Sequence, residues 1–201
     1  MPILETRTTK LEAVNSMLAC VGETPVNSLL GNLTANVQIA VDLLRDTTRK
    51  ICTTGYNFNT EDDYELALDL NGKIPVPGNA LEIDITEESG QVDPIMMGDF
   101  LYDKKNKTFV FSAPLKCTIK FFRAWEEMPE SARNYIKVKA ARIYQDQTVG
   151  SQEHHQYSQQ DETEAYSTFT TSDGEATDAN IFDTFFMASM VQRKRPLITQ
   201  F

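Results

Sequence analysis

Residues 17–29 read MLACVGETPVNSL. The apolar spacing that leads into this stretch ends at Gly22, and Thr24-Pro25 turns the chain. Glycine is the natural left-handed residue just past a helix C-terminus, and proline has neither the N–H nor the φ freedom to carry a helix onward. The stretch therefore predicts a helix stop followed by a tight corner. What flanks the corner decides the fold.

Upstream, Thr9-Lys10-Leu11-Glu12 has the spacing of a capping box, with Thr9 as N-cap and Glu12 three residues on. Leu11, Val14, Leu18 and Val21 then recur at intervals of three and four, one apolar face of a helix. Downstream, after Asn32, a second stripe runs through Leu33, Val37, Ala40, Val41, Leu44, Thr48 and Ile51. Arg45, Arg49 and Lys50 lie near its C-terminal end, where cations suit the helix dipole, and Gly55 closes it. Two stripes joined by a short corner predict an antiparallel helical hairpin. Cys20 and Cys52 sit in or beside these stripes and read as packed core thiols, as does Cys117 at the head of a strand. Cysteines so widely spaced do not suggest a disulfide framework.

From about residue 64 the period changes from helical to alternating. Glu65 to Leu70 and Leu81 to Ile85 alternate, further short strands are expected at 99–103 and 108–111, and residues 117–122 form the strongest later strand. Lys104-Lys105-Asn106-Lys107 reads as a turn. Glycines and prolines at 72, 75, 77, 78, 94 and 114 punctuate the region, as expected of a small antiparallel sheet. Helix returns at Trp125-Glu126-Glu127-Met128-Pro129-Glu130, with Pro129 in the first turn, and continues on Ala132, Ile136, Ala140 and Ile143 to about Val149. Residues 151–180 contain no lysine or arginine but carry Glu153, Asp161, Glu162, Glu164, Asp173, Glu175 and Asp178. Tyr157, Ala165 and Phe169 give this segment a thin apolar stripe, so a polar fourth helix is expected. The fold class is α+β: a mainly α-helical bundle (1–60 and 126–180), an inserted β-rich region (61–125) and an extended C-terminal tail (181–201).

Charge and composition narrow the function. The chain has 201 residues, with 29 acidic against 19 basic and a formal net charge of -10. Such a surface repels a phosphate backbone, which disfavours a sequence-reading nucleic-acid binder but leaves open a conduit past which DNA slides. MPILETRTTK lacks the apolar core of a signal peptide, and no apolar run is long enough to span a membrane. His154 and His155 are adjacent, so on a helix their rings diverge by about 100° and do not converge on one metal ion. Both histidines lie in the polar segment, away from every cysteine in the sequence. Glu61-Asp62-Asp63, Glu126-Glu127 and Asp84 with Glu87 are carboxylate clusters of the kind acid/base chemistry needs, but local clustering does not set two carboxylates across a cleft. The sequence assigns no catalytic residue, metal or cofactor.

The tail combines apolar groups with a basic triplet, Arg193-Lys194-Arg195. Phe185, Phe186, Arg193, Lys194, Arg195 and Phe201 are the candidate partner interface, either folded back on the chain or docked on another protein.

Several segments, in order, carry a family resemblance. They are Leu11-Glu12-Ala13-Val14-Asn15 to Leu18, Gly22-Glu23-Thr24-Pro25-Val26 with Leu29, and Gly55-Tyr56-Asn57-Phe58-Asn59. They continue with Ile74-Pro75-Val76-Pro77, Phe100-Leu101-Tyr102-Asp103, Glu126-Glu127-Met128-Pro129-Glu130, and Tyr135-Ile136 to Lys139-Ala140-Ala141-Arg142. Together they resemble the tail tubular protein A family, the head-to-tail adaptor or gatekeeper proteins of T7-like short-tailed phages. Tyr56 stands where that family typically has tryptophan. The resemblance implies a structural virion protein, not an enzyme. It implies a dodecameric ring at the head-tail junction, joining the portal protein to the tail nozzle protein (tail tubular protein B-like) and supporting tail fibre protein attachment. Double-stranded DNA passes through the channel during ejection, without sequence-specific binding or membrane insertion of the ring. Synthesis is expected in the host bacterial cytoplasm. The competing expectation is a virion-associated polysaccharide or cell-wall hydrolase, which draws only on the carboxylate clusters.

Overall fold

The computed structural model describes residues 7–85, 92–150 and 152–176, the last with side chains from residue 159. α1 (Lys10–Cys20) opens on the expected capping box: the Thr9 hydroxyl accepts the Glu12 N–H at 3.2 Å, and Glu12 Oε2 accepts the Thr9 N–H at 2.7 Å. It closes at Gly22, φ 76°, where the Gly22 N–H donates to the Ala19 carbonyl and the Glu23 N–H to that of Leu18. Those two bonds are a Schellman stop, which only a residue tolerant of positive φ makes at low cost.

The corner itself is longer than the sequence suggests. The chain runs through residues 21–34 before α2 (Ala35–Thr54) starts at its N-cap Thr34. Asn15 folds this connection back onto α1: its Nδ2 donates to the Val26 carbonyl at 2.9 Å and its Oδ1 accepts the Val26 N–H at 2.8 Å. The side-chain amide thus pairs with the chain as a peptide group would, and Val21, Val26, Leu29 and Leu33 pack on the core. Cys20 also departs from expectation. It is exposed, because it closes the last turn beyond the buried Ala13, Val14, Met17 and Leu18.

α2 buries Val37, Ala40, Leu44, Thr47, Thr48, Ile51 and Cys52 and ends at Gly55, φ 81°. A 3-10 turn (Trp125–Glu127) leads into α3 (Glu130–Thr148), with Pro129 as the N-cap. α1 and α2 each pack more extensively against α3 than against each other, and α4 (Gln152–Ala176) also lies on α3. The bundle is therefore organised around α3 and is not a simple α1/α2 hairpin. Arg133, 5% exposed, ties this centre to the start of the chain. Its guanidinium donates to the carbonyls of Met128 (3.0 Å), Thr8 (3.1 Å) and Glu126 (2.7 Å), and the Trp125 indole N–H also reaches Thr8 at 2.9 Å.

Between α2 and α3 lies the sheet region. β1 (Thr60–Leu66), β2 (Ala80–Ile85) and β5 (Leu115–Phe121) form an antiparallel sheet in the order β1-β5-β2, and β3 (Pro94–Met97) pairs antiparallel with β4 (Phe100–Asp103). The first strand lies upstream of the alternation at 65–70. It pairs from Thr60 opposite Lys120 to Leu66 opposite Leu115, with a bulge between Glu61 and Tyr64 where Asp63 takes φ 54°. Residues 69–73 turn instead, because Asp69 Oδ1 accepts the N–H groups of Asn71 and Lys73, both at 2.8 Å, and Leu70 is left fully exposed. The strand expected at 108–111 contributes only isolated bridges, Asp103 to Thr108 and Lys73 to Val110.

The buried side chains fall into two clusters, one within the bundle and one under the sheet around Leu66, Ile74, Leu101, Phe111, Ile119 and Phe121.

Candidate functional site

The segment Gly55-Tyr56-Asn57-Phe58-Asn59 is where the layers meet, and each residue has a distinct task. Gly55 stops α2. Tyr56 and Phe58 lie against Phe169 of α4, with ring centroids 4.6 and 6.0 Å away, and Tyr135 of α3 stacks on the same ring at 5.6 Å. The N–H groups of Asn57 and Phe58 donate to the Asp173 carboxylate at 2.9 and 3.2 Å, so an acid of α4 caps the 3-10 turn (Asn57–Asn59). Asn59 is fully buried: its Nδ2 donates to the carbonyls of Cys52 (2.7 Å) and Phe121 (2.9 Å), and its Oδ1 accepts the Tyr56 N–H (2.9 Å). One amide thus ties the end of α2 to the end of β5. Burial, with Tyr166, Tyr135 and Asp173 close by, pushes the Tyr56 phenol up to about 12. It stays protonated at any physiological pH.

A hollow of about 250 Å³ opens between α3 and α4, lined by Tyr135, Arg142, Gln159, Glu162, Thr163 and Tyr166. Its one carboxylate, Glu162, is already engaged by the Lys139 ammonium at 2.9 Å and by Arg142 Nε. This is an ion-paired seam between helices and holds no spare acid or base.

Three members of the carboxylate clusters, Glu61, Asp62 and Glu127, have structural partners. Glu61 pairs with Arg123, Asp62 accepts the Thr118 hydroxyl at 2.7 Å, and Asp63 sits on the bulge. Glu127 accepts the Ala124 N–H at 3.1 Å. Glu87, the proposed mate of Asp84, lies outside the described residues, as do the side chains of His154, His155 and Tyr157. Burial raises the Cys52 and Cys117 thiols, Cys117 to about 11, so both are neutral rather than nucleophilic. Among the described residues no group of three or more His, Cys, Asp or Glu is placed to hold a metal ion, and no helix is long and apolar enough to cross a membrane. The tail candidates Phe185, Phe186, Arg193, Lys194, Arg195 and Phe201 lie outside the described residues.

Asp103 was missed as a key position. It is 1% exposed and organises the turn after β4. Its carboxylate accepts the N–H groups of Asp93 (3.1 Å), Lys105 (2.9 Å) and Asn106 (3.3 Å) and the Asn106 side-chain amide (2.6 Å). Burial works to raise its pKa, but these donors together outweigh it and hold the group below the usual carboxylate value. Glu162 is likewise lowered: burial raises it, and Lys139 and Arg142 more than offset that. Both carboxylates therefore bind protons more weakly folded than unfolded. Their stabilisation is complete above the unfolded values of about 3.9 and 4.3 and is lost as pH falls through the lower folded values. Urea midpoints measured across this range should drop with acid, and Asp103→Asn should flatten that drop. An unchanged acid dependence in Asp103→Asn and Glu162→Gln together would remove both groups from the account.

Asn59, Asp173 and the Glu162 ion pairs are thus ties between the layers of the fold. A sequence model of the tail tubular protein family matches residues 11–179, and the chain belongs to that family. It is a structural component of a phage tail rather than an enzyme. No curated protein shows a significant match to it.

Proposed function

We propose that the chain is the head-to-tail adaptor of its virion, a subunit of a dodecameric ring joining portal to tail nozzle at the head-tail junction and supporting tail fibre attachment. The observation that carries this reading is the family match across residues 11–179, which spans both the helical bundle and the sheet region. In this reading residues 1–60 and 126–180 form the ring body, 61–125 the peripheral layer and 181–201 a docking tail. The net charge of -10 supports passage of a duplex without capture, because like charge suppresses tight phosphate contacts. Phe185, Phe186 and Phe201 supply apolar contact in the tail, and Arg193, Lys194 and Arg195 pair with acidic surface on the portal or a neighbour.

Native mass spectrometry of the protein, alone and mixed with its cognate portal and nozzle, tests this. Joint assemblies are expected. A chain that stays monomeric and joins neither partner overturns the adaptor. Truncation after residue 180 should weaken portal binding, and unchanged binding removes the tail from the interface while leaving the ring intact.

A further inference from the structure

We propose that the lysine turn after β4 docks on the acidic outer face of α4 in a second copy of this chain. This contact rests on the ring reading and says which two surfaces meet in it. Lys104, Lys105 and Lys107 are all exposed, and their backbone is fixed rather than loose. Asp103 gathers the turn's N–H groups beneath them, the Asp103 N–H bonds the Thr108 carbonyl at 2.9 Å, and Lys107 is held at φ 54°. Lys104 is tethered to Asp93 at 3.2 Å. Val110, 54% exposed, stands two residues beyond the closing bridge and adds an apolar shoulder. Nearby, Lys73 lies 5.3 and 5.9 Å from the ring centres of Phe100 and Phe109. The result is a preorganised cationic tip on a chain that is otherwise strongly acidic.

The complement is on α4. Its inner acids are occupied: Glu162 by Lys139 and Arg142, Asp173 by the N–H groups of Asn57 and Phe58. Asp161, Glu164 and Glu175 are exposed. At about 100° per residue these three fall within roughly 60° of arc, on the flank of the helix beside the buried face, with Asp161 about 40° round from Ala165 and Glu164 about 140° from Phe169. No lysine or arginine occurs anywhere in α4 to offset their mutual repulsion. α4 packs on α3 and the 3-10 turn at 57–59, whereas the lysine turn belongs to the β3–β4 hairpin beside β2. The two faces therefore lie in different layers of one chain and meet between copies. Because they are different surfaces, the contact is heterologous, the kind that builds a ring when its rotation closes.

Charge reversal tests the pairing, since all the residues changed are exposed. Lys105→Glu with Lys107→Glu gives one variant, and Asp161→Lys with Glu164→Lys the other. Each alone should self-associate about tenfold more weakly than the native chain in low salt. An equal mixture should recover association, because every junction in an alternating ring is then complementary, and all four changes in one chain should recover it too. The same mixing is run with portal present, and association is followed by sedimentation velocity at low and high salt. A mixture no better than either variant, alone or on portal, overturns the contact. So does a native chain whose turn shifts duplex DNA, if Lys105→Glu with Lys107→Glu abolishes that shift but not self-association. Failure of native chain and variants alike to bind portal or nozzle strikes the adaptor reading instead.

Discussion

Phe169→Ala is expected to cost about 3–5 kcal/mol, the range for truncating a fully buried aromatic. The side chain is 0% exposed and lies between Tyr56, Phe58 and Tyr135. The effect should be local before it is global. α4 is polar, and among its described side chains only Ala165 and Phe169 are buried, so one phenylalanine supplies most of its apolar anchorage. Removing it leaves the Glu162 ion pairs and the Asp173 cap, which are partly solvated and individually weak. Hydrogen exchange should show α4 losing protection while α1 to α3 retain theirs, and thermal unfolding should fall by roughly 10 °C for a chain of this size. A loss below about 1 kcal/mol, with α4 still protected, would show that the helix is held by something other than this ring.

Asn59→Leu tests the other joint. Leucine has similar bulk but removes the bonds from the amide to the carbonyls of Cys52 and Phe121 and to the N–H of Tyr56, the Cys52 carbonyl keeping only the Gly55 N–H at 3.3 Å. Three lost buried bonds at about 1 kcal/mol each predict a loss of about 3 kcal/mol. Asn59→Asp is the sharper control. It keeps shape and the acceptor for Tyr56, yet turns a carboxylate towards two carbonyl oxygens, so it should cost at least as much as leucine. Urea unfolding followed by far-ultraviolet dichroism and by Trp125 fluorescence reports the result. Because Asn59 couples α2 to β5, the two signals should separate in the variants. Coincident transitions with an unchanged midpoint would remove Asn59 as the tie between layers.

These two joints show where sequence reading reaches and where it stops. The start and stop of α1 were legible because Thr9, Glu12 and Gly22 act on backbone within a turn of themselves. The stops at Gly22 and Gly55 follow from positive φ, and the stripes of α2 and α3 from period alone. The strand at 80–85 and the turn at 104–107 were readable for similar local reasons. What escaped was decided at a distance. Asp173 caps a turn more than a hundred residues upstream, and Asn15 reaches across to Val26. The first strand was set too late because Asp69 turns the chain through its own side chain, overriding the alternation. β3 begins at a proline, spans only 94–97 and pairs with one neighbour, too little to register as a period. The resemblance singled out Gly55 to Asn59 as a segment, and the structure supplies the task of each residue there. The tail candidates lie outside the described residues and beyond the family match at 11–179, so their role rests on composition.

The exposure of Cys20 has a practical consequence. The chain has three cysteines, and the other two are buried. A thiol-directed dye applied to the native protein therefore has one open attachment point, at the end of α1. A fluorophore there reports on neighbouring copies by energy transfer without any engineered residue, so any association of copies can be timed on an unaltered sequence.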